Sequence, residues 1–332
     1  MVRFAVLGCG RIGRMHAQNL ARNPSVELVS VFDVVANAAQ EIAHALGARA
    51  AASVEEVLGD ASVDAVLIAT PTDTHVPLLI AAAKAGKAVL CEKPIDLDMD
   101  RVQSCWKEIA PLKPTVMIGF NRRFDPSFKA VRDRIVAGEI GALEQVIITS
   151  RDPGPPPVAY VRVSGGLFRD MTIHDFDMAR SLVGDFVEVH ATGANLIDPA
   201  IRAAGDIDAA MVTLRAASGA LVHINNSRRC AYGYDQRIEA FGARGMLQAG
   251  NRTATTVEAW NDQYTGARDV VLNFFIQRYQ EAYVAELAHF VACVQEKKEP
   301  LANFAAGVEA LRLADAALES LRSGQTVRVQ KG

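Results

Sequence analysis

The sequence predicts an α/β protein with an N-terminal, doubly wound parallel sheet and a C-terminal α+β domain whose sheet is mostly antiparallel. Three observations predict this fold class. Short apolar runs alternate with helical stretches over the first 120 residues, as in a parallel sheet with crossover helices. A glycine-rich turn joins the first run to the first helix. In the second half, strand-like runs follow one another without intervening helices, which is typical of antiparallel pairing.

The strand candidates of the first half are continuous apolar runs, as expected for parallel strands buried on both faces. They are Arg3–Leu7, Glu27–Phe32, Ala65–Ala69, Ala88–Cys91 and Thr115–Gly119. Helices are predicted between them, at Ile12–Arg22, Ala36–Leu46, Val54–Leu58, His75–Ala85 and Asp98–Ile109. Ser53 with Glu56 forms a capping box, and Gly86 lies where a helix C-terminal glycine belongs.

The pattern changes after Phe120, and we predict a domain boundary there, with residues 1–120 and 121–332 as the two domains. Helices are predicted at Pro126–Ala137, Met171–Val183, Phe275–Gln295 and Phe304–Arg322. Strands are predicted at Leu143–Ser150, Val187–Asn195, Ala209–Arg215, Ala220–Asn226, Gln236–Phe241 and Met246–Gln248. A proline-rich loop follows Asp152 and cannot continue a sheet.

Composition narrows the class of protein and its partners. Half of the 332 residues are hydrophobic and 22% are charged, the profile of a globular protein. The net charge of -3 argues against nucleic acid or an anionic membrane as the main partner. No apolar run approaches the length of a membrane span, and the apolar stretch Phe4–Leu7 is too short for a signal peptide, so we expect a cytoplasmic protein. The five scattered cysteines contain no Cys-x-x-Cys pair, which argues against a disulfide framework and a structural zinc site.

A dinucleotide site is predicted at the glycine-rich turn. Gly8-x-Gly10-x-x-Gly13 follows a strand directly and opens a helix, whose N-terminal N–H groups favour phosphate. Asp33 ends the second strand, where an acid would bind the adenosine ribose hydroxyls and repel a 2′-phosphate. Val34 brings no compensating cation. This pattern predicts NAD rather than NADP, although Asp33 could instead belong to an ordinary turn at the end of a strand.

Two further segments follow predicted strands and are expected at the same edge of the sheet, where ligands bind in this class of fold. Ala69-Thr70-Pro71 is one, although it also fits a proline-containing turn with Thr74 capping the next helix. Glu92-Lys93-Pro94 is the other. Lys93 could stabilise negative charge on a substrate oxygen, or it could be an ordinary surface lysine in a turn.

An acid and a histidine in the second half form a candidate catalytic pair. Asp170 and His174 are four residues apart and share one face of a predicted helix, with Asp177 three residues further on. A carboxylate beside an imidazole can fix its tautomer and raise its basicity, as a general base requires. The alternative is that Asp170 caps the helix and His174 packs at its start.

Arginines and tyrosines supply candidate contacts for a polyhydroxylated substrate. Arg122 and Arg123 follow the fifth strand, and four tyrosines in the second half have polar tips on aromatic rings. Packing in the core or at an interface explains any one of them equally well. The four tyrosines are Tyr232, Tyr234, Tyr279 and Tyr283.

Over essentially its full length, the chain resembles the glucose-fructose oxidoreductase / inositol dehydrogenase (Gfo/Idh/MocA) family, and in particular its inositol 2-dehydrogenase branch. The resemblance rests on the glycine turn with Asp33, Thr70-Pro71 with His75, and Glu92-Lys93-Pro94. It also rests on the segments Gly119–Phe124, Ser150–Pro153, Ser164–Gly166, Asp170–Asp177 and Tyr232–Gln236.

The resemblance implies NAD-dependent oxidation of myo-inositol to 2-keto-myo-inositol, with Lys93, Asp170 and His174 as the catalytic set. It also implies a cis Lys93–Pro94 bond, a large open sheet used for homotetramer assembly, and a last helix that packs back on the first domain. The residues implied to bind NAD are Gly8, Gly10, Arg11, Ile12, Gly13, Asp33, Val34, Ala69, Thr70, Pro71, His75, Glu92, Lys93 and Arg122. Those implied to bind substrate are Lys93, Arg123, Asp152, Asp170, His174, Tyr234 and Tyr283.

Two alternatives to this function stay open at the level of sequence. One is the same chemistry on scyllo-inositol, another inositol isomer or an aldose, because isomers differ only in hydroxyl orientation. The other is a dinucleotide-binding sensor without catalysis, which the presence of a full lysine, aspartate and histidine set disfavours.

Overall fold

A computed structural model describes residues 1–329, which form two compact units. The first unit contains Met1–Phe124 and Glu281–Leu311. The second contains Asp125–Gln280 and the described residues from Arg312 to Val329. No helix within residues 1–329 combines the length and the apolar character needed to cross a bilayer.

A six-stranded, all-parallel sheet forms the centre of the first unit, in the order β3-β2-β1-β4-β5-β6. This order is that of a doubly wound dinucleotide-binding fold, so the predicted fold class is confirmed. The strands are β1 (Val2–Leu7), β2 (Val26–Phe32), β3 (Arg49–Ala50), β4 (Ala65–Ile68), β5 (Ala88–Cys91) and β6 (Val116–Ile118). The helices are α1 (Arg11–Arg22), α2 (Ala36–Leu46), α3 (Val54–Gly59), α4 (His75–Lys84) and α5 (Met99–Ile109).

The second unit is built on a seven-stranded sheet in the order β12-β11-β7-β10-β9-β8-β15, in which only β7 and β10 are parallel neighbours. The mostly antiparallel sheet is therefore confirmed. The strands are β7 (Leu143–Arg151), β8 (Phe186–Ala194), β9 (Ala209–Ala216), β10 (Leu221–Ser227), β11 (Asp235–Gly242), β12 (Gly245–Ala249), the separate hairpin β13 (Glu258–Trp260) and β14 (Thr265–Arg268), and β15 (Val327–Arg328). The helices are α6 (Pro126–Val136), α7 (Val158–Val161), α8 (Ile173–Val183), α9 (Pro199–Ala203) and α10 (Phe275–Arg278).

Two long helices complete the chain: α11 (Gln280–Glu296) and α12 (Phe304–Ser323). Helix α11 belongs almost entirely to the first unit. Its Phe290 packs against Phe4 of β1, with the two ring centroids 6.0 Å apart, and both rings are fully buried. The first unit is thus assembled from segments at opposite ends of the sequence.

The single helix predicted over Phe275–Gln295 is wrong, because the chain breaks at Tyr279 into α10 and α11. Tyr279 leaves the helical region with φ -111° and ψ 18°. Its hydroxyl donates a hydrogen bond of 3.0 Å to Gln236 Oε1 of β11, and its ring is buried. Tertiary packing of Tyr279 therefore overrides a sequence that is helical by local preference.

Candidate functional site

The glycine turn between β1 and α1 is shaped by close backbone contacts. A Cβ on Gly13 would lie 1.8 Å from the carbonyl oxygen of Gly8, and one on Gly8, which has φ +97°, would lie 2.5 Å from that of Ala69. A Cβ on Gly10 would meet no protein atom within 4 Å. Gly8 and Gly13 are therefore required by the fold, whereas Gly10 leaves the backbone open to a ligand. This pattern fits a pyrophosphate at the N-terminus of α1.

Asp33 is held in place at the end of β2. Its Oδ2 accepts a hydrogen bond of 2.6 Å from Cys9 N, and its Oδ1 accepts one of 2.8 Å from Val35 N. Because each carboxylate oxygen can accept more than one hydrogen bond, Asp33 can still bind ribose hydroxyls. Val34 is 90% exposed beside it and brings no cation. Burial, and then the Asp33 carboxylate, raise the pKa of the Cys9 thiol to about 11, so this thiol is neutral at pH 7.

His75 links the two other loops at this edge of the sheet. Its Nε2 lies 2.9 Å from the carbonyl oxygen of Thr70, and its Nδ1 lies 2.7 Å from that of Pro94. The imidazole is 1% exposed. The Lys93–Pro94 bond is cis, as the resemblance implied. His75 therefore joins the loop after β4 to the loop after β5 and fixes the backbone on one side of Lys93.

Glu92 is fixed on the other side of Lys93. Its Oε1 lies 2.8 Å from Nε2 of His16, a buried residue of α1. A Cβ on Gly119 would lie 2.9 Å from Glu92 Oε2, so the missing side chain makes room for the carboxylate. Tyr283 packs edge-on against His16, with the ring centroids 5.5 Å apart. Lys93 itself is half-buried between two anchored neighbours.

Two of the residues predicted to contact substrate, Arg123 and Tyr283, lie in the first unit. The sequence placed Tyr283 in the second domain, but it belongs to the first unit, because α11 packs on that unit. Arg123 Nη1 donates a hydrogen bond of 2.7 Å to the carbonyl oxygen of Leu301. Arg122, predicted to bind cofactor, is 4% exposed.

In the second unit, Asp170 accepts hydrogen bonds at both carboxylate oxygens. The hydroxyl of Tyr160 donates to Oδ1 at 2.9 Å, and Arg228 Nη2 donates to Oδ2 at 3.1 Å. Arg228 Nη1 also lies 3.7 Å from Oδ2 of Asp152. Two residues that the resemblance assigns to substrate are thus joined by one buried guanidinium.

His174 lies in the first turn of α8, directly after a π-helical turn, Phe168–Thr172, that carries Asp170. The start of this helix is anchored to the sheet by buried polar side chains. Thr172 Oγ1 donates to Asn226 Oδ1 at 2.7 Å, and Asn226 Nδ2 donates to Asp175 Oδ2 at 2.8 Å. The Asp170–His174 segment therefore rests on β10 through fully buried hydrogen bonds.

The loop before β11 is organised by Asp235, which is fully buried. Burial alone would raise the pKa of Asp235, but hydrogen bonds from Arg237, Tyr232 and Asn251 outweigh it and hold the pKa below its ordinary value. Burial, and then the hydrogen bond to Asp235, raise the pKa of Tyr232 to about 12. Tyr232 is therefore a hydrogen-bond donor at neutral pH.

Tyr234 and Tyr279 lie in the core of the second unit, with 6% and 1% of their surfaces exposed. Their rings meet edge to face, with centroids 6.0 Å apart. Gly233, with φ +120°, makes the turn that directs the chain into this contact. For Tyr279 the core-packing alternative is the one that the structure favours.

Sequence reasoning missed three residues of these arrangements: His16, Tyr160 and Arg228. His16 sits on the helix that follows the glycine turn, and Arg228 directly follows a strand, so each had a positional signal. Their partners lie 76 and 58 residues away along the chain. Only the folded arrangement shows these pairs.

Comparison with known proteins agrees with this geometry. Residues 2–120 match the oxidoreductase family with an NAD-binding Rossmann fold, and residues 128–248 match the GFO/IDH/MocA C-terminal domain. The chain is 49% identical to the inositol 2-dehydrogenase of Rhizobium meliloti, over 99% of each chain. It is 36% identical to the scyllo-inositol 2-dehydrogenase (NAD(+)) of Bacillus subtilis, over 99% of this chain and 96% of that one.

A solved structure gives the same result. The myo-inositol dehydrogenase of Corynebacterium glutamicum superimposes with a TM-score of 0.97 at 49% identity, covering 100% of both chains. With the doubly wound sheet, the glycine turn and Asp33 in place, the similarity extends from fold to sequence over the whole chain. The protein belongs to the GFO/IDH/MocA family of NAD-binding oxidoreductases.

Proposed function

We propose that this protein is an NAD-dependent inositol 2-dehydrogenase that oxidises myo-inositol to 2-keto-myo-inositol in inositol catabolism. The observation that carries the proposal is the geometry of the π-helical turn before α8. There Asp170 is fixed at both carboxylate oxygens, four residues before His174. The full-length likeness to inositol 2-dehydrogenases supports the substrate class.

Each catalytic residue has a distinct role in this proposal. NAD, when bound, accepts the hydride that leaves the carbinol carbon. His174 removes the hydroxyl proton as the general base, and Asp170 keeps its imidazole oriented and balances the positive charge that it gains. Lys93 stabilises the negative charge that develops on the substrate oxygen. Its position is well suited to this because both neighbours in sequence are anchored.

We assign cofactor binding to residues 1–120, through the glycine turn, Asp33 and the loops joined by His75. Residues 121–332 carry substrate binding and assembly. Among the substrate candidates, Asp152 fits best, because it is partly exposed and lies beside the Asp170 ion pair. Five buried thiols without a disulfide support a reducing compartment such as the cytoplasm.

Oxidation of scyllo-inositol is a second candidate, because the Bacillus subtilis relative, at 36% identity, is named for that isomer. The two isomers differ only in the orientation of the hydroxyl at C2. The same base, lysine and cofactor would serve both, so the difference lies in the contacts to the remaining hydroxyls.

Initial rates of NADH formation test the function directly. The panel contains myo-inositol, scyllo-inositol and glucose, each with NAD and with NADP. We expect the fastest rate with myo-inositol and NAD. We expect NADP to lower kcat/KM at least about 100-fold, because a 2′-phosphate would meet the Asp33 carboxylate.

A faster rate with scyllo-inositol would keep the mechanism and transfer the assignment to that isomer. Tight NAD binding with no turnover of any polyol would overturn the dehydrogenase proposal in favour of a sensor. Asp33→Ala tests the cofactor preference. This variant should bind NAD more weakly, and its kcat/KM values with NAD and with NADP should differ less than those of the wild type.

We also propose that the protein is a homotetramer assembled through the open face of the seven-stranded sheet. Alternate residues of β9 are buried or exposed along the whole strand, so one face of the sheet is covered and the other is not. The uncovered face carries five large apolar side chains that are 41–55% exposed. They are Ile147, Met211, Leu221, Phe241 and Met246. Large exposed apolar side chains on one face of a sheet favour an association surface, and the number of copies follows from the family resemblance.

Light scattering after gel filtration checks the assembly. We expect four times the chain mass for the wild type and a smaller species for the double variant Ile147→Lys, Met211→Lys. Each lysine would bury an unpaired charge in the interface. A matched control is Val136→Lys, at an exposed apolar position on α6 that belongs to no strand of the sheet. A wild-type monomer, or a double variant of unchanged mass, would contradict the proposal.

A further inference from the structure

Arg228 occupies a position that the sheet topology creates. Strands β7 and β10 are parallel neighbours, with Ser150 opposite Asn226 and Arg151 opposite Ser227. Parallel strands end at the same edge of a sheet. Asp152 directly follows β7 and Arg228 directly follows β10. The two residues therefore lie side by side at that edge of the sheet.

The side chain of Arg228 is one of the largest fully enclosed groups of the protein, with 2% of its surface exposed. Its guanidinium lies 3.1 Å from Asp170 Oδ2 and 3.7 Å from Asp152 Oδ2. One cation thus faces two carboxylates, of which 12% and 22% of the side-chain surface is exposed. A buried arginine is always charged and holds carboxylates in a fixed orientation. Removing such a partner takes away the positive charge that this arginine places beside the acids.

We infer that Arg228 is a positioning residue of the proposed dehydrogenase. It holds Asp170 as an oriented anion, and the same guanidinium lies beside Asp152, the proposed substrate-binding acid. The inference rests on the proposed function. Because the guanidinium favours the ionised carboxylate, Asp170 stays an anion while His174 carries the proton taken from substrate. Tyr160 completes the arrangement by donating to the other oxygen of Asp170.

The test compares Arg228→Gln and Arg228→Lys with the neighbouring, exposed Arg229→Gln as a matched control. We expect Arg228→Gln to lower kcat about 10- to 100-fold, because a misplaced catalytic group loses that order of rate. Arg228→Lys keeps the charge without the planar fork and should recover part of the loss. NAD affinity should stay within about twofold of the wild type in all three variants, and so should the kcat of Arg229→Gln.

The pH profile separates positioning of the anion from a general structural role. Arg228 and Tyr160 contact Asp170 directly. Asp152 lies on the same guanidinium, and His174 follows four residues later in the first turn of α8. Without the guanidinium, Asp170 takes up a proton more readily. The acidic limb of the kcat profile should therefore move to higher pH in Arg228→Gln and stay closer to the wild type in Arg228→Lys. Loss of packing alone would lower kcat at every pH and would not shift the acidic limb of the kcat profile along the pH axis.

A double-variant cycle in the free energy of unfolding requires no turnover. Arg228→Gln should destabilise the wild type more than it destabilises Asp170→Asn, in which only the more distant and more exposed Asp152 still loses its cation. Additive free energies, or an Arg228→Gln variant with wild-type kcat and pH profile, would overturn the inference. A wild type that oxidises no cyclitol would overturn only the proposed function, since the cycle would still measure the coupling.

Discussion

Replacing His174 by alanine is expected to lower kcat by about 100- to 10,000-fold, the usual contribution of a positioned general base. Lys93→Ala should cost about 100- to 1,000-fold, because one donor to a developing oxyanion is lost. His174→Ala should leave NAD affinity within about twofold of the wild type, since His174 belongs to the second unit. Lys93→Ala should still bind NAD, because the phosphate and ribose contacts depend on the glycine turn and Asp33.

Steady-state NADH formation with myo-inositol and calorimetric NAD titration measure the two effects separately. Two exposed residues supply matched controls: His44→Ala on α2 and Lys107→Ala on α5. Both should keep wild-type rates. Near-native kcat in His174→Ala or Lys93→Ala would remove that residue from the mechanism, and a parallel loss of NAD binding would indicate damage to the fold instead.

Alanine substitutions at two glycines of the same turn are expected to have different effects, one on stability and the other on NAD binding. Gly13→Ala should destabilise the first unit by several kcal/mol, beyond the usual cost of about 1–3 kcal/mol for overpacking. Its Cβ would lie 1.8 Å from a backbone oxygen that no side-chain rotation can move. Gly10→Ala should keep the fold, because the residue has φ -69°, which suits alanine, and its Cβ would touch no protein atom within 4 Å.

Thermal unfolding and NAD titration distinguish the pair. Gly10→Ala should keep the wild-type Tm without ligand and bind NAD at least about 100-fold more weakly, because its methyl group would occupy the space for the pyrophosphate. Gly59→Ala is a control, since its Cβ also meets no protein atom within 4 Å and lies away from the turn. Unchanged NAD affinity in Gly10→Ala would argue against dinucleotide binding at this turn.

Most of the fold followed from local pattern because its strands and caps carry their own signals. The four-residue strand Ala88–Cys91 and the helix Ala36–Leu46 were predicted to the residue. Ser53 caps its helix as expected, accepting a hydrogen bond from Glu56 N. The short strand Arg49–Ala50 and the break at Tyr279 were missed, because pairing with β2 and contact with β11 produce them and no local preference does.

Some residues of the candidate site could likewise be predicted from local pattern, and others could not. Residues that follow strands, such as Asp33, Lys93 and Asp152, could be located because the carboxyl edge of a parallel sheet is predictable from strand order. The pairing of Arg228 with Asp152 could not be predicted. It depends on the parallel pairing of β7 with β10, strands that are separated by β8 and β9 in sequence. Which side chains meet across such a pair is decided by register, and a single sequence does not encode register locally.

The discontinuous first unit has a consequence for the order of events during synthesis. Phe4 of β1 is made well before its aromatic partner Phe290, which belongs to α11. At a translation rate of about 5–20 residues per second, the nascent strand waits on the order of tens of seconds for that partner. Throughout this interval the apolar surface that α11 will cover is open to other chains. Completion of the dinucleotide-binding unit therefore waits for α11, although most residues of that unit leave the ribosome well before this helix.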